Sequence, residues 1–433
     1  MGLIKGNAKA KTKDAHFNPY RVPRTDPARA IVAEVLKRLC AADTRKRARR
    51  PADQAAFLAC VTALTCDTTH HRLSGKAGGV AITRSKANLG SKSRYTPAAM
   101  CRSLPAVIDR MVQLGLVRLV LGVRSSGFGG GKRSTITAGP RLVRMIRRHG
   151  LTPDDLGRDC GEEVLIMKGP KKGRARPRLE YQDTDHPSIV PTRERVQQIN
   201  SFIRDANLDF DDGVLKGSGR VDVGERTLQR HYSRGSWSEG GRLFGGFWYA
   251  PSKQERYEGL IIDGESVVEV DYSGMGPRLL YAIANSVPTF DDPYALPGMV
   301  DKEMRAGIKV VFGAAMFASG ETERIRFPKG SRKAFHPSMP YRTVADAIAL
   351  AHPAIAHLLG TDIGHSVTYR ESEIMIDLLI RLQSLGIVAL PVHDAVWVKA
   401  EHAEQVALEM GRVTIDHLGF PIPVSIGKLE RRL

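Results

Sequence analysis

The chain has 433 residues, is 42% hydrophobic and 26% charged, and carries a formal net charge of +19. That length suits two or three domains and the composition is that of an ordinary globular protein. No apolar run approaches the roughly 18–20 residues of a membrane span, and the start MGLIKGNAKAKTKD lacks the apolar segment of a signal peptide.

The five cysteines (Cys40, Cys60, Cys66, Cys101 and Cys160) are odd in number, which predicts reduced thiols in a cytoplasmic protein. Cys60 and Cys66 with His70 and His71 match no common zinc spacing. Charge is unevenly placed: residues 1–150 hold 30 of the 65 basic residues against 7 of the 46 acidic ones. A segment this basic attracts polyphosphate and releases counterions on binding, which favours nucleic acid over a merely solubilising surface.

Residues 1–26 are basic and proline-broken and read as a disordered arm. Helical spacing follows over 28–42 and about 52–65, and 95–122 reads as helix–turn–helix entering a strand. Two β segments over 123–139 are joined by a glycine loop carrying Arg124, Lys132 and Arg133. This order, over 27–150, resembles a winged-helix DNA-binding module, with one helix for the major groove and the hairpin for the backbone. The GGGKRS segment is no P-loop, because Ser126 stands at its first glycine and Arg133 follows the lysine.

A charged, Pro/Gly-rich stretch, 167–187, reads as a linker or exposed loop, and a helix follows at about 192–206. The whole of 151–229 is expected to be a linker and thumb-like region. Then RHYSRGSWSEGGRLFGGFWYAP interleaves Arg230, Arg234, Trp237 and Arg242 with glycines. Aromatic and arginine groups so mixed suit base stacking and backbone contact, and equally suit a packed hairpin with surface arginines.

Residues 259–274 read as a hairpin turning at Asp263-Gly264, so that Asp271 ends its second strand. In GIVALPVHDAVWVKAE, His393-Asp394 breaks two strand halves, between helical patterns at about 368–384 and 401–418, and a final strand lies in 420–430. These elements predict an antiparallel sheet backed by helices, in an α+β chain. Two strand-end carboxylates can hold a pair of Mg²⁺ ions about 4 Å apart for phosphoryl transfer. Between them, DKEMRAGIKVVFGAAMFASG repeats Arg305, Lys309, Gly313 and Phe317 every fourth residue. Such a face can bind a triphosphate at its cations and stack a base on its aromatic, or can simply be solvated.

In order, DYSGMGPR, RAGIKVVFGAAMF and PVHDAV resemble motifs A, B and C of the DNA polymerase I and single-subunit RNA polymerase superfamily. The resemblance covers about 230–433 and implies a right-hand palm with small fingers inserted over about 285–365. It implies that Asp271 and Asp394 bind two Mg²⁺ (or Mn²⁺), with the Tyr272 carbonyl as a further ligand. It also implies that Arg305 and Lys309 meet the triphosphate, Lys309 serving as general acid for the pyrophosphate. Phe317 would stack at the nascent pair, with Gly276 and Gly313 also at the nucleotide. Arg242 is similar to an arginine that meets the primer–template, and His393 joins the nucleic-acid contacts.

The sequence departs from that pattern at informative places. Gly276 stands where DNA polymerases place a glutamate sugar gate, Phe317 where a tyrosine reads the ribose, and Ala395 where a second acid often follows the motif C aspartate. No room remains for a full proofreading exonuclease domain. The expectation is template-directed nucleotidyl transfer to a 3′-hydroxyl, DNA-templated with weak sugar discrimination, using dNTP or rNTP on a primer–template. Priming by the same site would suit replication of a mobile element or virus. An RNA polymerase or primase is the first alternative, and a non-enzymatic DNA-binding initiator or regulator with a degenerate palm is the second. A two-aspartate nuclease explains neither the cationic helix nor the motif order.

Overall fold

The basic first third buries its apolar residues among helices, while the later residues build around paired strands. The computed structural model describes residues 14–427 apart from 76, 91–92, 124–130, 160, 172, 174, 216–220, 300 and 320–325. The class is α+β. The chain divides into two compact units, one of Met1–Glu163 with Lys216–Glu225, the other of Val164–Leu215 with Arg226–Leu433.

The first unit runs β1 (Ala15–His16), β2 (Arg21–Pro23), α1 (Asp26–Ala41), α2 (Pro51–Leu73), β3 (Val80–Ile82), α3 (Leu104–Gln113), β4 (Val117–Val120), β5 (Ser134–Ala138), α4 (Pro140–Arg148) and β6 (Leu156–Arg158). All four helices start on a proline within their first turn, where the missing N–H has no partner to lose. Ile31, Val35, Leu64, Ile108, Met111 and Leu142 interlock in their common core. Of the arm expected over 1–26, the described part contributes two short strands, β1 beside β3 and β2 beside β6. The buried Arg21 explains why Lys216–Glu225 belongs to this unit: its guanidinium meets Asp67 at 3.6 Å, Glu225 at 3.4 Å and Asp222.

The helix–turn–helix expected over 95–122 is replaced by turns and one helix. The Thr96, Met100 and Leu104 N–H groups donate three residues back, to Ser93, Pro97 and Cys101. Pro97 disfavours helix at the residue before it, and Pro105 sits in the first turn of α3, so the helix starts only at Leu104. The β4–β5 hairpin follows, closed by a bridge between Val123 and Lys132. Lys132 and Arg133 are exposed beside it, and Arg124 lies outside the described residues.

The second unit continues with β7 (Leu165–Met167), α5 (Ile189–Asp205), β8 (Leu208–Phe210), β9 (Leu228–Ser233), β10 (Ser236–Gly245), α6 (Lys253–Gly259), β11 (Leu260–Ile262), β12 (Glu265–Tyr272), α7 (Met275–Ile283), α8 (Lys302–Met316), α9 (Tyr341–Ala351), α10 (Gly364–Ser384), β13 (Leu390–Val392), β14 (Ala395–Lys399), α11 (Ala403–Leu418) and β15 (Val424–Ile426). The main sheet has the order β13-β14-β12-β11-β8, and β15 pairs with the far end of β12. The β11–β12 hairpin turns at Asp263 and Gly264, with φ of 54° and 82°, the left-handed pair that matches strand twist. Val396, Trp397 and Val398 of β14 are all fully buried, which is why that strand reads as an unbroken apolar run. α11 packs on β12 and β15, and α10 on α11 and α7.

β9 and β10 form a bulged hairpin with β7 alongside, pressed against α10. Arg230, expected at a nucleic-acid surface, is instead wholly buried in this joint. Its guanidinium donates to the Gly241 carbonyl at 3.0 Å, to Ser372 at 2.8 Å and to Glu373 at 2.5 Å. The alternation LQRHYS turns that side chain inward with Leu228 and Tyr232. Arg230→Ala is therefore expected to destabilise the second unit by about 3 kcal/mol, as loss of a buried ion-pair partner does. Denaturant unfolding followed by tryptophan fluorescence would read this, and a change below about 0.5 kcal/mol, the size of a surface substitution, would contradict it.

Candidate active site

β12 and β14 pair antiparallel with Asp271 opposite Ala395, so the end of β12 lies beside the turn joining β13 to β14. That turn is His393–Asp394. The Tyr272 N–H points to the Asp394 carbonyl at 3.4 Å. His393 holds φ 60°, a left-handed conformation that costs a non-glycine residue and is tolerated where surrounding pairing enforces it. Trp248, fully buried, donates its indole N–H to the Pro391 carbonyl at 3.0 Å and anchors β13 from below.

Two carboxylates thus come from distant segments to one strand end. The Asp271 carboxyl is pushed up to about 7, first by burial, then by Asp394 and by Glu269. Glu269 stands two residues earlier on β12 and so on the same face; it is paired with Lys253 of α6. Lys253 and Lys309 pull Asp271 the other way, without cancelling the repulsion. Among the described residues, no group of three His, Cys, Asp or Glu side chains is placed to hold a metal ion. The Tyr272 side chain turns into the core, its hydroxyl donating to the Met410 carbonyl at 2.9 Å, so only its backbone can serve this site.

The segment after β12 positions the cationic helix. Gly274 adopts φ 61°, and a Cβ there would lie 2.7 Å from both Arg278 and Pro293. Arg278 is buried, donates to the Ser273 and Asp291 carbonyls at 2.8 Å each, and covers the Phe290 ring at 4.9 Å. His352 holds the same loop, its Nε2 donating to the Pro293 carbonyl at 2.9 Å while Nδ1 accepts from Tyr281. The pinned loop presents Asp292 and Tyr294 to α8. Arg305 donates to Asp292 at 3.0 Å from Nη2, and Arg305 and Lys309 lie over the Tyr294 ring at 5.4 and 5.9 Å.

α8 buries Gly307, Ile308, Val311 and Phe312, leaving Arg305, Lys309 and Phe317 exposed along the opposite side with Gly313 beside them. Phe317 caps the helix and packs edge-on to His365 at 5.2 Å. A Cβ at Gly276 would come within 3.2 Å of the Met316 methyl, so a thioether occupies the space beside the glycine. Arg242 forms a two-pronged ion pair with Glu371 at 2.5 and 2.6 Å. Glu371 is 4% exposed, and burial pushes its carboxyl up, with Arg242 opposing and Asp394 adding.

The remaining expected contacts are spoken for elsewhere. Arg234 bridges Glu239 and Asp362, and Trp237 packs between Tyr181 and Tyr232, each at 4.8 Å. Neither is presented as a free stacking surface. Glu269, Asp292, Tyr294, Met316 and Glu371 were not singled out from sequence. The alternation in EVD could have flagged Glu269, whereas no spacing relates Asp292 to Arg305.

No protein-family model and no curated protein matches the chain. Among solved structures it is similar to the POL domain of Pol1 from M. smegmatis, a complex with DNA primer-template and dNTP, at 11% identity and a TM-score of 0.32. The match covers 94% of this chain and 66% of that one, just under two thirds of its length. So low a score carries no argument, and any functional reading rests on the residues above.

Because folding raises the Asp271 proton affinity, the stability it contributes is complete below about pH 4 and is lost as pH rises through about 7. Asp271→Asn, which cannot ionise, should raise the melting temperature above pH 7 and leave it unchanged near pH 4, where both side chains are neutral. Thermal unfolding across pH tests this; an equal offset at both ends would contradict it.

Proposed function

We propose that the second unit is a template-directed nucleic-acid polymerase that adds nucleotides to a 3′-hydroxyl at Asp271 and Asp394. The observation that carries this reading is the convergence of the two carboxylates at a paired strand end. Lys309, which with Arg305 lies on the exposed side of α8, acts on Asp271 through space. Asp271, whose proton affinity is raised by burial and by the neighbouring Asp394, suits a divalent cation, which removes the repulsion. Mg²⁺ needs only one or two carboxylates when waters and phosphates complete its shell, so the missing third acid is compatible with it.

Asp271 and Asp394 would hold that ion, with the Tyr272 carbonyl beside them. The ion supplies neutralising charge on phosphoryl oxygens and eases ionisation of the attacking hydroxyl. Lys309 already acts on Asp271 through space and lies within reach of the triphosphate that the dyad would receive. It neutralises phosphate charge and can give a proton to the departing pyrophosphate. Arg305 is preset by Asp292, so phosphate binding exchanges one carboxylate contact for another anion. Glu371 keeps Arg242 extended and beside Asp394, where it can meet the primer end. The Gly276 position has no carboxylate, which fits use of rNTP as well as dNTP, with Met316 as its neighbour. The first unit, with its basic surplus and exposed Lys132 and Arg133, is proposed to bind the duplex.

Extension of a labelled primer on a DNA template, with dNTP or rNTP and Mg²⁺, tests the reading. Asp271→Ala or Asp394→Ala is expected to lower incorporation by on the order of 100-fold or more. Incorporation that survives either substitution would overturn the assignment. Independently of turnover, Mg²⁺ should raise the melting temperature of the parent at pH 8 (about one unit above the Asp271 value of about 7), and not that of Asp271→Asn combined with Asp394→Asn. An equal rise in both would remove the metal site.

A further inference from the structure

The loop after β7 carries charges that the proposed chemistry does not use. It returns on itself as a narrow ribbon, with a bridge between Lys168 and Arg178 and the Gly169 N–H donating to the Pro177 carbonyl at 2.8 Å. The Gly235 N–H and the Tyr232 carbonyl fasten Lys168 to the β9–β10 hairpin. Its ammonium lies 5.8 Å from the centre of the Phe244 ring.

From there a row of rings leads to the site. Phe244 packs on His231 at 4.9 Å and on His393 at 5.9 Å, and Tyr249 meets His393 at 6.2 Å. His393 directly precedes Asp394 in the strained turn. On the other flank, Arg176 acts through space on His365, the residue packed against Phe317. The loop therefore reaches the aromatic row through Lys168.

Two features of this surface bear on a ligand. Both ring nitrogens of His231 are buried without a hydrogen-bond partner, a cost that calls for a missing one. The charges acting on Lys168 are cationic: burial, then Arg178 and Arg176, hold its pKa below the usual lysine value. Burial, then Lys168 and Arg178, press His231 down to about 3, so it stays neutral. Cations carried on one ribbon beside a row of rings attract an anion. Rings at intervals along the same path suit unpaired bases.

We propose that Lys168, Arg176 and Arg178 grip the backbone phosphates of a single nucleic-acid strand, which runs over Phe244 and His393 to the dyad. This inference rests on the polymerase reading for its direction, since the strand ends where synthesis would occur. His231 lies beneath the strand as a positioning residue, its ring packed against Phe244.

The test uses the full chain without nucleotides and a short fluorescent single-stranded oligonucleotide, read by anisotropy across salt concentrations. A second probe carries a photoactivatable thio-base whose crosslinks are mapped by mass spectrometry. The triple variant Lys168→Ala, Arg176→Ala, Arg178→Ala should bind on the order of tenfold more weakly. Its salt slope should fall by about 2, roughly 0.7 per lost phosphate contact. Crosslinks in the parent should map to the 168–178 loop or the 228–245 hairpin. Arg176→Lys with Arg178→Lys should keep the affinity, which separates charge from loss of folding. An unchanged salt slope in the triple variant, or crosslinks confined to the first unit, would overturn the proposal. A chain that incorporates no nucleotide yet loses strand binding in the triple variant keeps this inference and sinks the polymerase reading.

Discussion

Everything in the candidate site follows from two like charges held at the end of one strand pair. Burial and a neighbouring carboxylate each disfavour ionisation of Asp271, and the protein accepts both because β12 and β14 cannot pair without bringing Asp271 beside the His393–Asp394 turn. The surrounding core supports it: Trp248 and Trp397 are fully buried, and Trp248 donates to the Pro391 carbonyl in the strand before that turn. A site built this way is held by backbone pairing.

The rest of the second unit serves to bring counter-charge near that pair without quenching it. Arg278 and His352 are buried and spend their hydrogen bonds on the backbone of 290–293. That loop in turn supplies the carboxylate and ring that orient Arg305 and Lys309. Glu371 does the same for Arg242 from α10. Each of these cations is held by a group outside the dyad.

The two units divide the labour of charge. The basic surplus lies in the first unit, whose core is helical and whose exposed hairpin carries Lys132 and Arg133. The second unit is balanced overall and concentrates its charge locally, acidic at the dyad and basic on α8 and on the 168–178 loop. Long-range attraction to a polyanion needs only surplus charge, whereas chemistry needs charges at fixed positions.

Much of this was legible in the residues alone. Alternation placed Asp271 at the end of a hairpin strand, the Asp263-Gly264 pair marked its turn, and fourfold spacing put Arg305, Lys309 and Phe317 on one exposed side of α8. These are local regularities, set by the periods of strand and helix. The expected helix–turn–helix over 95–122 did not form because prolines decide helix starts more strongly than apolar spacing does. Arg230 was misread for a related reason: its neighbours mark a surface, but the two-residue period turns it inward onto α10. What only tertiary structure decided were the partners: Asp292 at Arg305, Met316 over Gly276, Glu371 holding Arg242. Those pairs lie on elements joined by long connections, and burial and charge act through space, along which sequence spacing carries no information.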